Sequence, residues 1–311
     1  MSSSSGAATG VLAALSDDLA TAVERAGRSV VAIHARRRIP SSGVVWQPGV
    51  VVAASHTISR EEDITLTLPD GGSAPATLVG RDESTDLAVL RTEAEGLQPI
   101  DRAAANTLRS GSIVLAVGRP GADLTASLGL VSAVGGEWRT WQGGRIDRFV
   151  RLDVAIYDGF SGGALVEAGG RVLGLNTSGL ARGMPLTIPA ATVDPVAERI
   201  LKGGRLTRGY LGLASQPVRL PDGLRQALHL AGDFGLVVVN VEPNGPADRA
   251  GVLLGDILVA IDGNPVTDPR DVLAALTPEK VGQSIRVRLL RGGQPTDLSV
   301  TVGQRPTNRR R

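Results

Sequence analysis

The sequence predicts a mostly β chain: two consecutive antiparallel β-barrels followed by a small α/β domain. Three observations carry this. Short β-type runs come in two sets of about six strands each. The chain holds 40 glycines and 18 prolines but only 3% aromatic residues, a composition suited to many turns between short strands. A helical stretch over 191–202 is broken by Gly203-Gly204, and a smaller mixed pattern begins after it.

Residues 1–10 read as a flexible tail rich in Ser, Gly and Ala. Leu12, Leu15, Leu19 and Val23 then fall at helical spacing. With Ser16 as N-cap and Gly27 at the C′ position, they predict a short helix over 16–26. Beyond it the period becomes strand-like, over 29–34, 43–46, 49–53, 64–68, 76–80 and 87–91. Asp70-Gly71-Gly72 is a hairpin signal between two of these runs. The second set covers 113–118, 130–132, 149–152, 163–166 and 171–175. After the break, strands are expected over 210–214, 236–241, 256–261, 284–290 and 298–302, with helices over 246–250 and 268–276. The predicted division is a tail and helix (1–28), a double barrel (29–202), a small domain (207–305) and a disordered basic tail (306–311).

The 311 residues are 42% hydrophobic and 21% charged, which fits a globular chain of two domains. Net charge is only +2, and the basic clusters Arg36-Arg37-Arg38 and Arg309-Arg310-Arg311 lack interleaved aromatics, so no nucleic-acid partner is expected. The absence of cysteine excludes disulfides, thiolate metal sites and cysteine nucleophiles. His34, His56 and His229 are far apart in sequence, so neither a metal nor another cofactor is expected. No apolar run approaches the roughly 18–20 residues that span a bilayer, so no transmembrane segment is expected. The N-terminus lacks a basic n-region and reads as cytoplasmic as written; the alternative is a periplasmic or extracytoplasmic protein whose leader was removed.

A serine hydrolase needs a nucleophile, a base for its proton, and an acid that fixes the base's tautomer. His34 lies within a strand-like run and His229 in a helical stretch, whereas His56 follows a strand that ends among small residues. It therefore sits on a strand-exit loop, where functional residues concentrate. Asp86 directly precedes the apolar strand 87–91, where a carboxylate can be held and desolvated. Ser161 lies in Asp158-Gly159-Phe160-Ser161-Gly162-Gly163, whose glycines permit a tight turn that aims the Gly159 and Ser161 N–H groups at one oxyanion. Each element alone is a weak signal. Their strength is the order His, Asp, Ser, with two members from the first strand set and one from the second.

With these residues in place, the chain resembles the HtrA/Deg family of trypsin-like serine proteases over residues 17–304. The resemblance rests on Ser41-Ser42-Gly43-Val44-Val45, Ala53-Ala54-Ser55-His56-Thr57-Ile58, Asp82 to Leu90, Leu152 to Leu165, and Gly174-Leu175-Asn176-Thr177. It implies a chymotrypsin-like double antiparallel β-barrel with His56, Asp86 and Ser161 as catalytic triad. Phe160 replaces the family's Asn before the nucleophile, Ala164 its Pro, and Tyr157-Asp158 its Asn-Pro. Phe160 bears on whether the oxyanion hole is preformed, or it packs against the rim. In this fold the segment before the nucleophile lines the S1 pocket. Here it holds Val154, Ala155 and Ile156 without an acid, and with Asn176 it implies cleavage after small or medium aliphatic residues. Gly135–Arg148, with Trp138 and Trp141, matches the family's regulatory loops by position, or is simply a longer hairpin.

The second module resembles an HtrA-type PDZ domain. Arg208 and Gly209 lead into Tyr210, Leu211, Gly212 and Leu213, which match its carboxylate-binding loop. The chemistry is β-augmentation, in which a peptide adds as a strand and backbone N–H groups capture its terminal carboxylate. Val272 and Leu276 are expected on the helix beside that groove. The resemblance implies an ATP-independent serine endopeptidase acting on unfolded or misfolded polypeptides in protein quality control. The alternative is a largely latent protease acting as a peptide-binding or chaperone module. It also implies a homotrimer, assembled through the N-terminal region; Leu12 to Val23 would serve that contact or cap its own barrel.

Overall fold

The structure is a computed structural model that describes residues 5–103, 108–181, 184–203, 209–228, 230 and 232–304. The chain divides into two compact units, Met1–Leu206 and Thr207–Arg311. His229, Arg208 and the basic tail 306–311 lie outside the described residues.

The first unit opens with helix α1 (Ser5–Gly27). Six strands follow: β1 (Val30–His34), β2 (Ser41–Gln47), β3 (Val50–Ala54), β4 (Ile64–Thr67), β5 (Ser73–Asp82) and β6 (Leu87–Arg91). They close into a barrel in the order β1-β2-β3-β6-β5-β4. The Asp70-Gly71-Gly72 signal is the β4–β5 turn, closed by the Leu68 N–H on the Gly72 carbonyl (2.8 Å). The second barrel has β7 (Ile113–Gly118), β8 (Thr125–Val134), β11 (Val150–Asp153), β12 (Ala164–Glu167), β13 (Val172–Thr177) and β14 (Leu186–Pro189). Its order is β11-β14-β13-β12-β7-β8, the same cyclic topology as the first. A small hairpin, β9 (Trp138–Arg139) with β10 (Arg145–Ile146), projects between β8 and β11. Helix α2 (Ala190–Gly203) ends the unit and buries Val193, Val196, Ala197 and Ile200 at i, i+3, i+4 and i+7.

The apolar runs look continuous because both faces of these strands are covered. Side chains alternate across a strand, so successive residues feed different cores. In β1 to β3, Val31, Ile33, Val45 and Val51 fill the interior of the first barrel. Their neighbours Val30, Val44, Trp46 and Val52 join a central cluster with Leu115, Val117 and α2. A third cluster fills the second barrel and contains Phe160. Much of the burial that fixes the barrels therefore comes from short strands rich in Val, Ile, Leu and Ala, with α2 adding to the central cluster, and the loops between the strands are held at both ends.

Two expectations are corrected, and two elements had no counterpart in the sequence reading. The N-terminal helix begins at Ser5, not at a Ser16 cap, because the Ala-rich stretch before Ser16 is itself helix-favouring. Val11, Leu12 and Leu15 on it are exposed, while Leu19 and Val23 pack on the central cluster. Strand β14 was not legible because prolines flank it; the sheet accepts Pro189 at the strand end, opposite Gly174. The strand expected over 210–214 is two, β15 (Gly209–Tyr210) and β16 (Leu213–Arg219), because Gly212 at φ +75° turns the chain between them. Helix α3 (Asp222–Ala227) has no buried residue, so no apolar stripe announced it.

The second unit continues with β17 (Phe234–Val241), helix α4 (Pro246–Arg249), β18 (Ile257–Ile261), β19 (Asn264–Pro265), helix α5 (Pro269–Ala275), β20 (Ser284–Arg291), β21 (Gln294–Thr301) and β22 (Gly303–Gln304). Strands β16-β17-β18-β20-β21 form one antiparallel path with β19 on β18, and β15 pairs with β22. Helix α5 starts with a capping box formed by Asp268 and Asp271. Asp256, buried at the start of β18, is pinned by the Arg291 guanidinium (2.9 and 2.8 Å) and the Leu253 N–H (2.8 Å). Among the described residues no helix is long and apolar enough to cross a membrane.

Candidate active site

His56 sits in a single 3-10 turn, Ser55–Thr57, directly after β3. Asp86 immediately precedes β6, the strand paired with β3. The pairing Ala54↔Leu87 brings the two loops together. Asp86 adopts φ +58°, a left-handed conformation that Asp tolerates better than most residues. This bends its carboxylate back on the His56 turn. The His56 N–H donates to Asp86 Oδ1 (2.8 Å), and the ring Nδ1 lies 2.8 Å from Oδ2 and 3.1 Å from Oδ1. The Ser55 N–H donates to the Asp86 carbonyl (2.9 Å). An ionised carboxylate only accepts, so the proton in this contact is on Nδ1, and Nε2 is left as a base. Asp86 is 6% exposed at its side chain and His56 36%, so the acid is fixed and the imidazole reaches solvent.

Sequence reasoning gave no role to Thr177, at the end of β13 in the second barrel. Its hydroxyl donates to Asp86 Oδ2 (2.5 Å) and accepts the Gly179 N–H (2.9 Å). The only signal was its place after Asn176 in the family-like motif. Gly179 was also missed: a Cβ there would lie 2.5 Å from His56 Nδ1 and 2.8 Å from Asp86 Oδ2. The second barrel thus closes over the back of the imidazole–carboxylate pair.

Ser161 lies in the loop from β11 to β12 and is nearly buried. Among the described residues its Oγ bonds only to Ser178, with Oγ···Oγ at 3.1 Å and the Ser178 N–H at 3.3 Å. The structure therefore joins His56 to Asp86 directly and holds the Ser161 hydroxyl on Ser178. Around it the backbone is tightly specified. Gly159 and Gly162 have φ +92° and +88°, and a Cβ at either would strike backbone, Pro40 O at 2.7 Å and Ser42 O at 2.2 Å. The Phe160 N–H donates to Tyr157 O (3.0 Å) and the Gly163 N–H to Phe160 O (2.8 Å). The Gly159 and Ser161 N–H groups donate to no described residue. Two unpaired N–H donors on either side of Phe160, one of them on Ser161 itself, are the kind of donor set that a developing oxyanion requires.

Phe160 is fully buried in the core of the second barrel and meets Tyr157 edge-on at 5.3 Å. It anchors the loop from below instead of occupying the rim. Of the residues expected around S1, Ala155 is exposed and Ile156 half-buried against the Phe160 cluster. Asn176 is fully buried and ties strands together: its Nδ2 donates to Ala164 O (2.8 Å) and its Oδ1 accepts from Thr187 (3.0 Å). The β9–β10 hairpin docks on the acid's loop through the Thr140 hydroxyl and Ser84 O (2.7 Å). Together they wall a cavity of about 250 Å³ beside His56 and Asp86, with Arg81, Trp141 and Leu180 also lining it.

In the second unit, Tyr210 is half-buried on β15, Leu211 is core, and Leu213 starts β16. The Leu211 and Gly212 carbonyls accept from the Ala247 and Glu242 N–H groups (both 2.7 Å). A trans peptide points its N–H opposite its carbonyl, so the Gly212 and Leu213 N–H groups point to the other side of the loop. Val272 and Leu276, expected beside the groove, are buried in the same core as Leu211.

Two barrels of one topology, with the imidazole and carboxylate on one and the serine loop on the other, define a chymotrypsin-type serine hydrolase scaffold. Residues 41–175 match the trypsin-like peptidase domain family and 209–302 the PDZ domain family. A probable periplasmic serine endoprotease DegP-like of Brucella suis biovar 1 is 33% identical over 285 residues, covering 89% of this chain and 55% of that protein. Protease Do-like 1, chloroplastic, of Arabidopsis thaliana is 33% identical over 286 residues, covering 85% of this chain and 64% of that one. The solved HtrA-type protease AlgW with tripeptide is 34% identical, with a TM-score of 0.69 over 93% of this chain and 97% of that one. The chain belongs to the HtrA family of serine proteases, with one PDZ domain. It spans about half the length of the first curated relatives it matches. The cytoplasmic expectation finds no support in their names, which are periplasmic and chloroplastic.

Proposed function

We propose that the chain is a serine endopeptidase acting on unfolded or misfolded polypeptides, with His56, Asp86 and Ser161 as its triad. The observation that carries this is the buried Asp86 carboxylate bonded to His56 Nδ1, with the Ser161 loop supplied by the other barrel. Ser161 Oγ turns from Ser178 to His56 Nε2 and attacks the scissile carbonyl as Nε2 takes its proton. Asp86 stabilises the imidazolium, helped by Thr177. The Gly159 and Ser161 N–H groups receive the oxyanion, an effect of about 3 kcal/mol per donor in such sites. The imidazolium then protonates the leaving amine, and water hydrolyses the acyl-enzyme by the same groups in reverse.

Ala155 and Ile156 line S1 in this reading, with Asn176 behind them, and cleavage follows small or medium aliphatic residues. The loop Tyr210-Leu211-Gly212-Leu213 captures peptide C-termini by strand addition, supported by the outward Gly212 and Leu213 N–H groups. The exposed Val11, Leu12 and Leu15 of α1 support a homotrimer contact. The relatives' names support an extracytoplasmic setting. The test is casein cleavage by wild type beside Ser161→Ala: cleavage by the first and none by the second is expected, and equal cleavage refutes the assignment.

A further inference from the structure

The loop that carries Ser161 belongs to the second barrel, yet β2 of the first barrel also binds it. Ser42 is fully buried there. Its hydroxyl donates to the Gly159 carbonyl (2.7 Å) and accepts the Arg119 N–H just after β7 (2.8 Å). Its backbone N–H donates to the Ser161 carbonyl (3.3 Å). One residue thus grips the loop on both sides of Phe160 and binds it to the end of β7.

We propose that Ser42 is a positioning residue that sets the Gly159 N–H as an oxyanion donor; this rests on the protease reading above. Ser42 does not touch the reacting atoms. It acts through the Gly159 carbonyl. Once that carbonyl is clamped, only the φ and ψ of Gly159 relate its N–H to a fixed peptide plane. Gly159 is held at φ +92° between Pro120 and the Pro40 carbonyl, where no side chain fits. The Ser161 N–H is fixed separately, because Phe160 O is held by the Gly163 N–H. The two donors are therefore oriented by different bonds: the peptide that follows Gly159 is held through its N–H by Tyr157 O, within the same loop, and through its carbonyl by a hydroxyl from the other barrel. A glycine without that clamp can turn its N–H away at little steric cost.

The neighbouring serine is a control. Ser41 is equally buried, but its Oγ has no hydrogen-bond partner. A buried hydroxyl without a partner is a net cost, while one that donates and accepts is specified by its site. Adjacent serines on one strand thus differ in whether anything depends on the hydroxyl.

The experiment compares wild type, Ser41→Ala, Ser42→Ala and Ser42→Cys in the full chain. Cysteine keeps the volume and loses the strong donor, so it decides the matter if the alanine variant is unstable. Thermal melts establish that each variant is folded at the assay temperature. The readouts are kcat and KM on fluorescent casein and the phosphonylation rate with a fluorophosphonate probe, whose tetrahedral adduct places an oxygen in the hole. Removing a donor outright costs ~10²–10³-fold, so mis-aiming one is expected to cost ~10–100-fold. Both Ser42 variants should lose that much in kcat and phosphonylation with KM within about two-fold, and Ser41→Ala should match wild type. A folded Ser42 variant that labels and turns over like wild type overturns the proposal while the protease reading stands. So does a loss shared equally by Ser41→Ala. A wild type that neither labels nor cleaves overturns the protease reading and this proposal together.

Discussion

Gly179→Ala isolates the geometry of the imidazole–carboxylate pair from its chemistry. No charge, donor or acceptor changes, and the backbone at Gly179 is not in the left-handed region, so alanine is conformationally acceptable there. The added methyl would lie 2.5 Å from His56 Nδ1, 2.8 Å from Asp86 Oδ2 and 3.0 Å from His56 Cγ. Ordinary contacts begin near 3.4 Å, so about 1 Å of movement is needed. Asp86 cannot supply it: its side chain is 6% exposed and is held by the His56 N–H and the Thr177 hydroxyl as well as the ring. The imidazole, 36% exposed, moves outward. Misplacing a catalytic group by about 1 Å costs on the order of 10²-fold in rate. The assay is kcat on casein and fluorophosphonate labelling, beside a thermal melt. The expected result is a kcat loss of roughly 10²-fold with a melting temperature close to wild type. Activity within about three-fold of wild type would refute the reasoning.

Asp86→Asn should leave the fold intact and lower kcat by about 10⁴-fold, because an amide donor facing Nδ1 selects the tautomer whose Nε2 is already protonated. Casein turnover checks it, and a loss below about ten-fold contradicts it. Phe160→Ala empties a fully buried site in the second barrel, at a cost of about 3–5 kcal/mol. For a unit of this size the melting temperature should fall by on the order of 10 °C; an unchanged melt contradicts the core placement. Burial pushes the Asp256 carboxyl up, but the Arg291 hydrogen bonds, the Leu253 N–H and the guanidinium charge outweigh it and hold the group below its ordinary value. A depressed value stabilises the fold at pH above the unfolded carboxylate range and loses that contribution as pH falls through the folded value. Melts of wild type and Asp256→Asn should therefore differ at pH 7, and the gap should narrow as pH falls below the ordinary carboxylate range; a gap that stays constant on acidification contradicts the ion pair.

Much of the fold was legible because the barrels are built from short β-branched runs that keep their register over two buried faces. The first six runs each became a strand. What escaped lacked a local signal. β14 is masked by its flanking prolines and becomes a strand only because β13 and β11 offer partners. α3 is six residues long with no fully buried residue, and α1 extends past its expected cap on propensity alone. In the site, His56 and Asp86 could be picked from loop position beside strands. Thr177, Gly179 and Ser42 could not, because each matters through a contact across the barrel seam. Phe160 is the instructive residue: its position suggested the oxyanion hole, and only packing places its ring in the core below.

The most direct test of the account is to label the wild-type chain with a fluorophosphonate, digest it and locate the adduct by mass spectrometry. The account predicts one adduct, on Ser161, that is lost in His56→Ala. An adduct on any other residue, or labelling of Ser161 that survives the loss of His56 undiminished, would contradict it.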